Sequence, residues 1–128
     1  MSGCVAISAK SSWTPAGWIF DNVLEDAADL LQDRDARLAR LVRDALDGFE
    51  YLDVTDWTSM EMSSLLQAVA AARAQRVRRG AVAFAKPEFF PGFVEEVDRF
   101  IGLLESDPRS RGRPGERPSS GALRPPQS

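Results

Sequence analysis

A chain of 128 residues with 44% hydrophobic and 27% charged side chains has the makeup of one ordinary globular domain, long enough to bury a core. It holds no histidine and a single cysteine, which excludes Ser-His-Asp and Cys-His catalysis, imidazole acid–base chemistry, an internal disulfide and nearly every zinc site. No run approaches the roughly 18 apolar residues that span a bilayer, the N-terminus lacks the pattern of a secretory signal, and the expected localisation is cytoplasmic.

In chain order, Ser2 to Ala9 reads as a first strand, in which Cys4 is a small buried hydrophobe within Cys4-Val5-Ala6-Ile7. Thr14-Pro15 then signals a helix start, threonine as N-cap and proline at the first helical position. The helix is expected to run to about Gln32, with Phe20, Val23, Leu24, Ala27, Leu30 and Leu31 on one face. A second helix from about Asp35 to Asp47 buries Leu38, Leu41, Val42, Ala45 and Leu46, and Gly48 stops it. The pair forms an antiparallel helical hairpin.

The centre of the chain, Phe49 to Ala85, reads as a strand–helix–strand unit. Phe49 to Val54 is a short aromatic and β-branched run. Thr58-Ser59-Met60-Glu61 has the form of a capping box, and Met62 to Val77 carries Leu65, Leu66, Val69, Ala70 and Val77 at helical spacing. Gly80 ends the helix, and the apolar run Ala81 to Ala85 is expected to be a strand parallel to the previous one, reached by a right-handed crossover. Lys86-Pro87-Glu88 is a turn. A last helix opens near Pro91 and runs through Phe93, Val97, Phe100 and Leu104 until Asp107-Pro108. The expectation is therefore β-α-α-β-α-β-α: a small, three-stranded, largely parallel sheet with about four helices, occupying residues 1–107. Residues 108–128, rich in Pro, Arg, Ser and Gly, are read as a disordered tail.

The run from Tyr51 to Phe84 is similar in layout to the middle of a STAS domain, the fold of anti-sigma-factor antagonists. A strand ending in an aspartate, a Ser-containing turn, a Leu-rich helix and an apolar strand follow one another, and Ser63-Ser64-Leu65-Leu66 stands near that family's phosphorylatable serine. The family's serine follows directly on an aspartate, where this chain has Met62, and a helical pair replaces its N-terminal hairpin. No family is assigned on this layout.

Charge is unevenly placed. Residues 1–108 hold 11 Lys+Arg against 18 Asp+Glu, a net −7, and residues 109–128 hold five arginines against Glu116, a net +4. An acidic body selects basic partners over nucleic acid, for which only weak contacts of the arginine-rich tail are expected. The first helix concentrates that charge: Asp21, Glu25, Asp29 and Asp33 recur every four residues. Like charges so spaced destabilise a helix by a few tenths of a kcal/mol per pair unless a cation lies opposite. Arg34, Arg37, Arg40 and Arg43 of the second helix can supply it internally, or a basic partner can supply it from outside.

Trp13, Trp18 and Trp57 are the other candidates for partner binding, since tryptophan is enriched at interface hot spots; the competing reading is that they staple helix starts. Asp53 and Asp56 flank the end of the second strand, the ligand-binding edge of open α/β sheets, but turn chemistry accounts for them as well. Arg73, Arg76, Arg78 and Arg79 complement a helix C-terminus.

These features point to a non-catalytic protein-binding protein, an inhibitor or immunity-type partner that neutralises a basic toxin or nuclease through Asp21, Glu25, Asp29 and Asp33 with Trp13, Trp18 or Trp57 as anchor. No catalytic residue, metal or cofactor is assigned, and no membrane association is expected. The alternatives are a regulatory or scaffold subunit of a larger assembly and, behind it, a carboxylate- or metal-dependent enzyme at Asp53 and Asp56.

Overall fold

A computed structural model describes residues 3–48 and 50–111; Phe49 and most of the expected tail lie outside the described residues. The chain is a small α/β protein with a three-stranded mixed sheet and five helices among the described residues. No helix there is long and apolar enough to cross a membrane.

The chain begins with a hairpin. β1 (Cys4–Ser8) alternates half-buried and buried residues, so that Val5 and Ile7 point into the core. After a tight turn at Ala9-Lys10, β2 (Ser11–Trp13) returns antiparallel to it, pairing Trp13 with Val5 and Ser12 with Ala6. β3 (Tyr51–Asp53) lies on the other side of β1 and runs parallel, with Leu52 opposite Val5. The order is thus β2-β1-β3, and one of its two strand pairs is parallel.

This corrects the largely parallel sheet expected from the sequence. The residues placed in a third parallel strand, Ala81 to Ala85, form a 3-10 turn (Ala81–Ala83) and a loop, with Val82 90% exposed. The reason lies in lengths. A three-residue strand spans about 10 Å, whereas the 21 residues of the intervening helix rise about 30 Å, which carries Gly80 well past the sheet. The likeness in layout to a STAS domain therefore stops at that helix, and the chain has an N-terminal hairpin in front of its helical pair.

Helix α1 (Gly17–Leu31) begins later than Thr14-Pro15 implied, with Ala16 as an N-cap that offers no side chain. Pro15 is instead held at the sheet edge, where its carbonyl accepts the Gly3 N–H at 3.0 Å. The next two helices start on the signals read from sequence. In α2 (Ala36–Asp47), Asp35 accepts the Leu38 N–H at 3.1 Å. In α3 (Ser59–Arg79), Thr58 accepts the Glu61 N–H at 3.1 Å while Glu61 accepts the Thr58 N–H at 2.9 Å, a complete capping box. Gly80 closes α3 with φ +80°, a conformation L-residues resist. After a second 3-10 turn (Pro87–Phe89), α4 (Phe90–Ser106) carries Pro91 in its first turn.

One apolar core results. Phe20, Leu24 and Leu31 of α1, Leu38 and Val42 of α2, Met62, Leu65 and Val69 of α3, and Phe93, Val97, Phe100 and Leu104 of α4 are all buried in it with Val5 and Ile7. Helix α1 packs on α2 and α3, and α4 packs on α3 and β2. The chain does not leave the fold at Asp107. Pro108–Arg111 form a last turn, α5, against α3 and α4.

Candidate functional site

Because Phe20, Val23, Leu24, Ala27 and Leu31 turn inward, the opposite face of α1 is left to Trp18, Asp21, Asn22, Glu25 and Asp29. Asp33 continues the series just past the helix end and is exposed. The second helix answers this stripe at one position: Arg43 Nη2 donates to Asp29 at 2.9 Å, an exposed pair. Arg37 reaches Glu61 of α3 instead. Among the described residues Asp21, Glu25 and Asp33 form no ion pair, and neither do Arg34 and Arg40. Asp26, off the stripe, binds Arg76 through two hydrogen bonds of 2.7 and 3.1 Å.

More acid gathers beside the stripe. A cleft of about 300 Å³ between α1 and α2 is lined by Glu25, Asp29, Arg43, Leu46 and Asp47. The Glu50 carboxyl faces that of Asp21, and this contact, with smaller contributions from burial and like-charge repulsion, raises the Glu50 pKa above the ordinary glutamate value. Glu50 also sits at φ +56°, an uncommon backbone conformation for a residue with a side chain.

The three tryptophans separate. Trp13 is 1% exposed and stacks face to face on Phe100, ring centroids 4.2 Å apart; Trp57 is 8% exposed and belongs to the same core. Both were candidates for partner binding; the fold places both rings in the core, Trp13 on β2 opposite Val5 and Trp57 in the segment after β3. Trp18, 42% exposed, is the one presented at the surface. It caps an aromatic cluster, with centroid distances of 6.0 Å to Phe84, 6.2 Å to Phe89 and 6.0 Å to Phe93. Beside the Trp18, Phe84 and Phe89 rings lies a groove of about 360 Å³, lined also by Asn22, Arg76, Ala85 and Lys86.

That groove is not legible in the sequence. Phe84 belongs to the run taken for a strand, Phe93 reads as part of the last helix, and Arg76 as a complement to a helix dipole. The available signal was the exposure of Trp18, which follows from its place opposite Phe20, Val23 and Leu24. The arginines at the end of α3 divide: Arg73 pairs with Asp98 and Arg76 with Asp26, while Arg78 and Arg79 are exposed.

The carboxyl ends of β1 and β3, where open α/β sheets bind ligands, are occupied by the chain itself. Arg109 of α5 donates to the carbonyls of Ile7 at 2.7 Å, Val54 at 2.8 Å, Trp57 at 2.9 Å and Thr55 at 3.1 Å. Asp107, 6% exposed, holds the guanidinium from behind at 2.9 and 3.1 Å. The Arg109 side chain, opposed by burial and aided by the Arg109 amide, lowers the Asp107 pKa below the usual aspartate value. Asp53 is engaged in its own turn, accepting from the Thr55 hydroxyl at 2.7 Å and amide at 2.9 Å, both of which lower its pKa. Asp56 is exposed beside it. Among the described residues no group of three acidic, cysteine or histidine side chains is placed to hold a metal ion.

Comparison with protein-family models, curated proteins and solved structures finds no match for this chain.

Proposed function

We propose that this protein acts without catalysis of its own, by binding another protein as an inhibitor or immunity-type partner that masks a basic toxin or nuclease. The observation that carries this reading is the outward face of α1, where exposed Trp18 heads a stripe of acids that, among the described residues, cations meet only at Asp29. Repulsion along Asp21, Glu25 and Asp29 costs the helix a few tenths of a kcal/mol per pair. A cationic partner removes that cost. The acids supply steering and register, raising the association rate, and the Trp18 ring supplies the desolvated anchor. Trp13 and Trp57 hold the core beneath and take no part in contact.

The test is capture from the native cell with the wild-type chain and an Asp21→Lys/Glu25→Lys variant, with low- and high-salt washes. A single stoichiometric, basic partner that leaves at high salt, is not captured by the variant and is inhibited by the wild-type chain supports the reading. Its association rate with the variant is then slower by about tenfold or more at low salt. A partner held equally by the variant, or one that survives high salt, refutes the stripe as interface and favours a scaffold or regulatory subunit.

A further inference from the structure

The groove beside Trp18 differs in character from the acidic stripe. Its walls are aromatic (Trp18, Phe84 and Phe89), and its polar side chains are Asn22, Arg76 and Lys86. The hydrogen bonds of those three groups define what is missing. Asn22 Oδ1 already accepts from Arg76 Nη2 at 3.2 Å, and Asn22 Nδ2 donates to the Trp18 carbonyl at 2.7 Å. Arg76 uses Nε and Nη2 on Asp26 and Asn22, which leaves the two N–H bonds of Nη1 without an acceptor among the described residues. Its guanidinium carbon lies 5.8 Å from the Phe84 ring centroid and 5.4 Å from that of Phe93. The Lys86 ammonium stands 5.8 Å from the Phe89 ring centroid and pairs with no described carboxylate.

The groove is therefore rich in donors and aromatic faces and short of acceptors. The geometry points to a binding site for a small organic anion: a planar apolar body of one or two fused rings bearing a carboxylate. The rings stack among Trp18, Phe84 and Phe89, and the carboxylate accepts from Lys86 and from Arg76 Nη1. At about 360 Å³ the groove falls in the size range of small-molecule pockets, and its mix of apolar wall and few convergent polar groups is theirs as well. Asp26 neutralises Arg76, so Lys86 provides the net positive charge and hence the preference for an anion. This site shares Trp18 with the proposed partner face and uses none of Asp21, Glu25 and Asp29.

The test is a two-dimensional NMR titration of the full chain with indole-3-acetate, its neutral amide indole-3-acetamide, and cationic tryptamine. Expected are saturable shifts of the Trp18 indole N–H and the Asn22 side-chain amide with the carboxylate, about fivefold weaker binding of the amide, and weaker still of the amine. Lys86→Ala, at an exposed position that the fold does not need, brings acid and amide to within about twofold of each other. Three outcomes overturn the site: no saturable shift at Trp18 and Asn22, an amide that binds as well as the acid, or an acid preference that persists in Lys86→Ala.

Discussion

Arg109 ties the C-terminal turn to both parallel strands, and its removal is a quantitative test of how the sheet end is closed. In Arg109→Ala, four backbone carbonyls lose a charged donor, and the Asp107 carboxylate, 6% exposed, loses its counter-ion. Hydrogen bonds to a charged group contribute about 1.5–3 kcal/mol each but are not additive within one guanidinium. Stranding a buried carboxylate costs about 3–5 kcal/mol, and this sets the scale. The expected loss is therefore about 3–5 kcal/mol out of a total stability of about 5–15 kcal/mol. In urea, with a slope of about 2 kcal/mol/M, the midpoint falls by about 2 M at unchanged slope. Arg109→Lys recovers less than half, because an ammonium cannot present the planar fork that reaches Ile7 on one side and Val54 and Trp57 on the other. The pH dependence has a definite sign. The unfolded chain protonates Asp107 near the ordinary value of 3.8, and the folded chain only below it. The contribution is thus fully present above that value and is lost as pH falls through the lowered one. The gap between wild type and Arg109→Ala is widest near neutrality and narrows in acid. A loss under about 0.5 kcal/mol at neutral pH would refute the clamp.

The tryptophans give a paired prediction. Trp13→Ala removes a ring stacked on Phe100 and costs about 3–5 kcal/mol in denaturant unfolding, while Trp18→Ala costs under about 1.5 kcal/mol and acts on partner capture; a reversed order would place the anchor elsewhere. For Glu50, the raised pKa means that the folded state binds its proton more tightly than the unfolded one, so wild-type stability declines as pH rises through that carboxyl's titration. Glu50→Gln accordingly melts higher than wild type at neutral pH, and the advantage disappears as pH falls below the ordinary glutamate range; equal melting temperatures at neutral pH would remove the Asp21 contact as a source of repulsion.

How much of this was legible in the sequence depends on how local the signal is. Asp35, Thr58 with Glu61, and Pro91 act within a few residues, and the helices they open begin where those residues say. The apolar faces of α1 and α4 follow from periodicity for the same reason, and that of α2 does except at Leu41, expected in the core but 37% exposed. β2 was missed because Ser11-Ser12-Trp13 lacks a β-branched residue and its turn, Ala9-Lys10, lacks glycine or asparagine. Ala81 to Ala85 was misread because apolar character alone does not specify a strand; the overshoot of α3, a global length, decides its fate. Composition also missed Pro108–Arg111. Asp107-Pro108 ends α4 as read, but Asp107 then accepts the Arg109 N–H at 2.9 Å and starts a new turn, so the same dipeptide stops one helix and opens another.

The same distinction between local and global signal bears on the acidic stripe. Its spacing of four keeps Asp21, Glu25 and Asp29 on one face, because four residues turn a helix by about 400°, close to a full revolution. The arginines of α2 are spaced by three, and each step falls about 60° short of a revolution. Arg37, Arg40 and Arg43 therefore fan around their helix, and Arg34 lies in the turn before it. One meets Asp29, one meets Glu61 on α3, and Arg34 and Arg40 pair with no described acid. The other buttressing arginines are taken by Asp26, Asp98 and Asp107. The charge left on α1 is thus not a shortage of cations in the chain. It follows from a register mismatch between two adjacent helices, and shifting one arginine onto the α1-facing stripe of α2 would have relieved it.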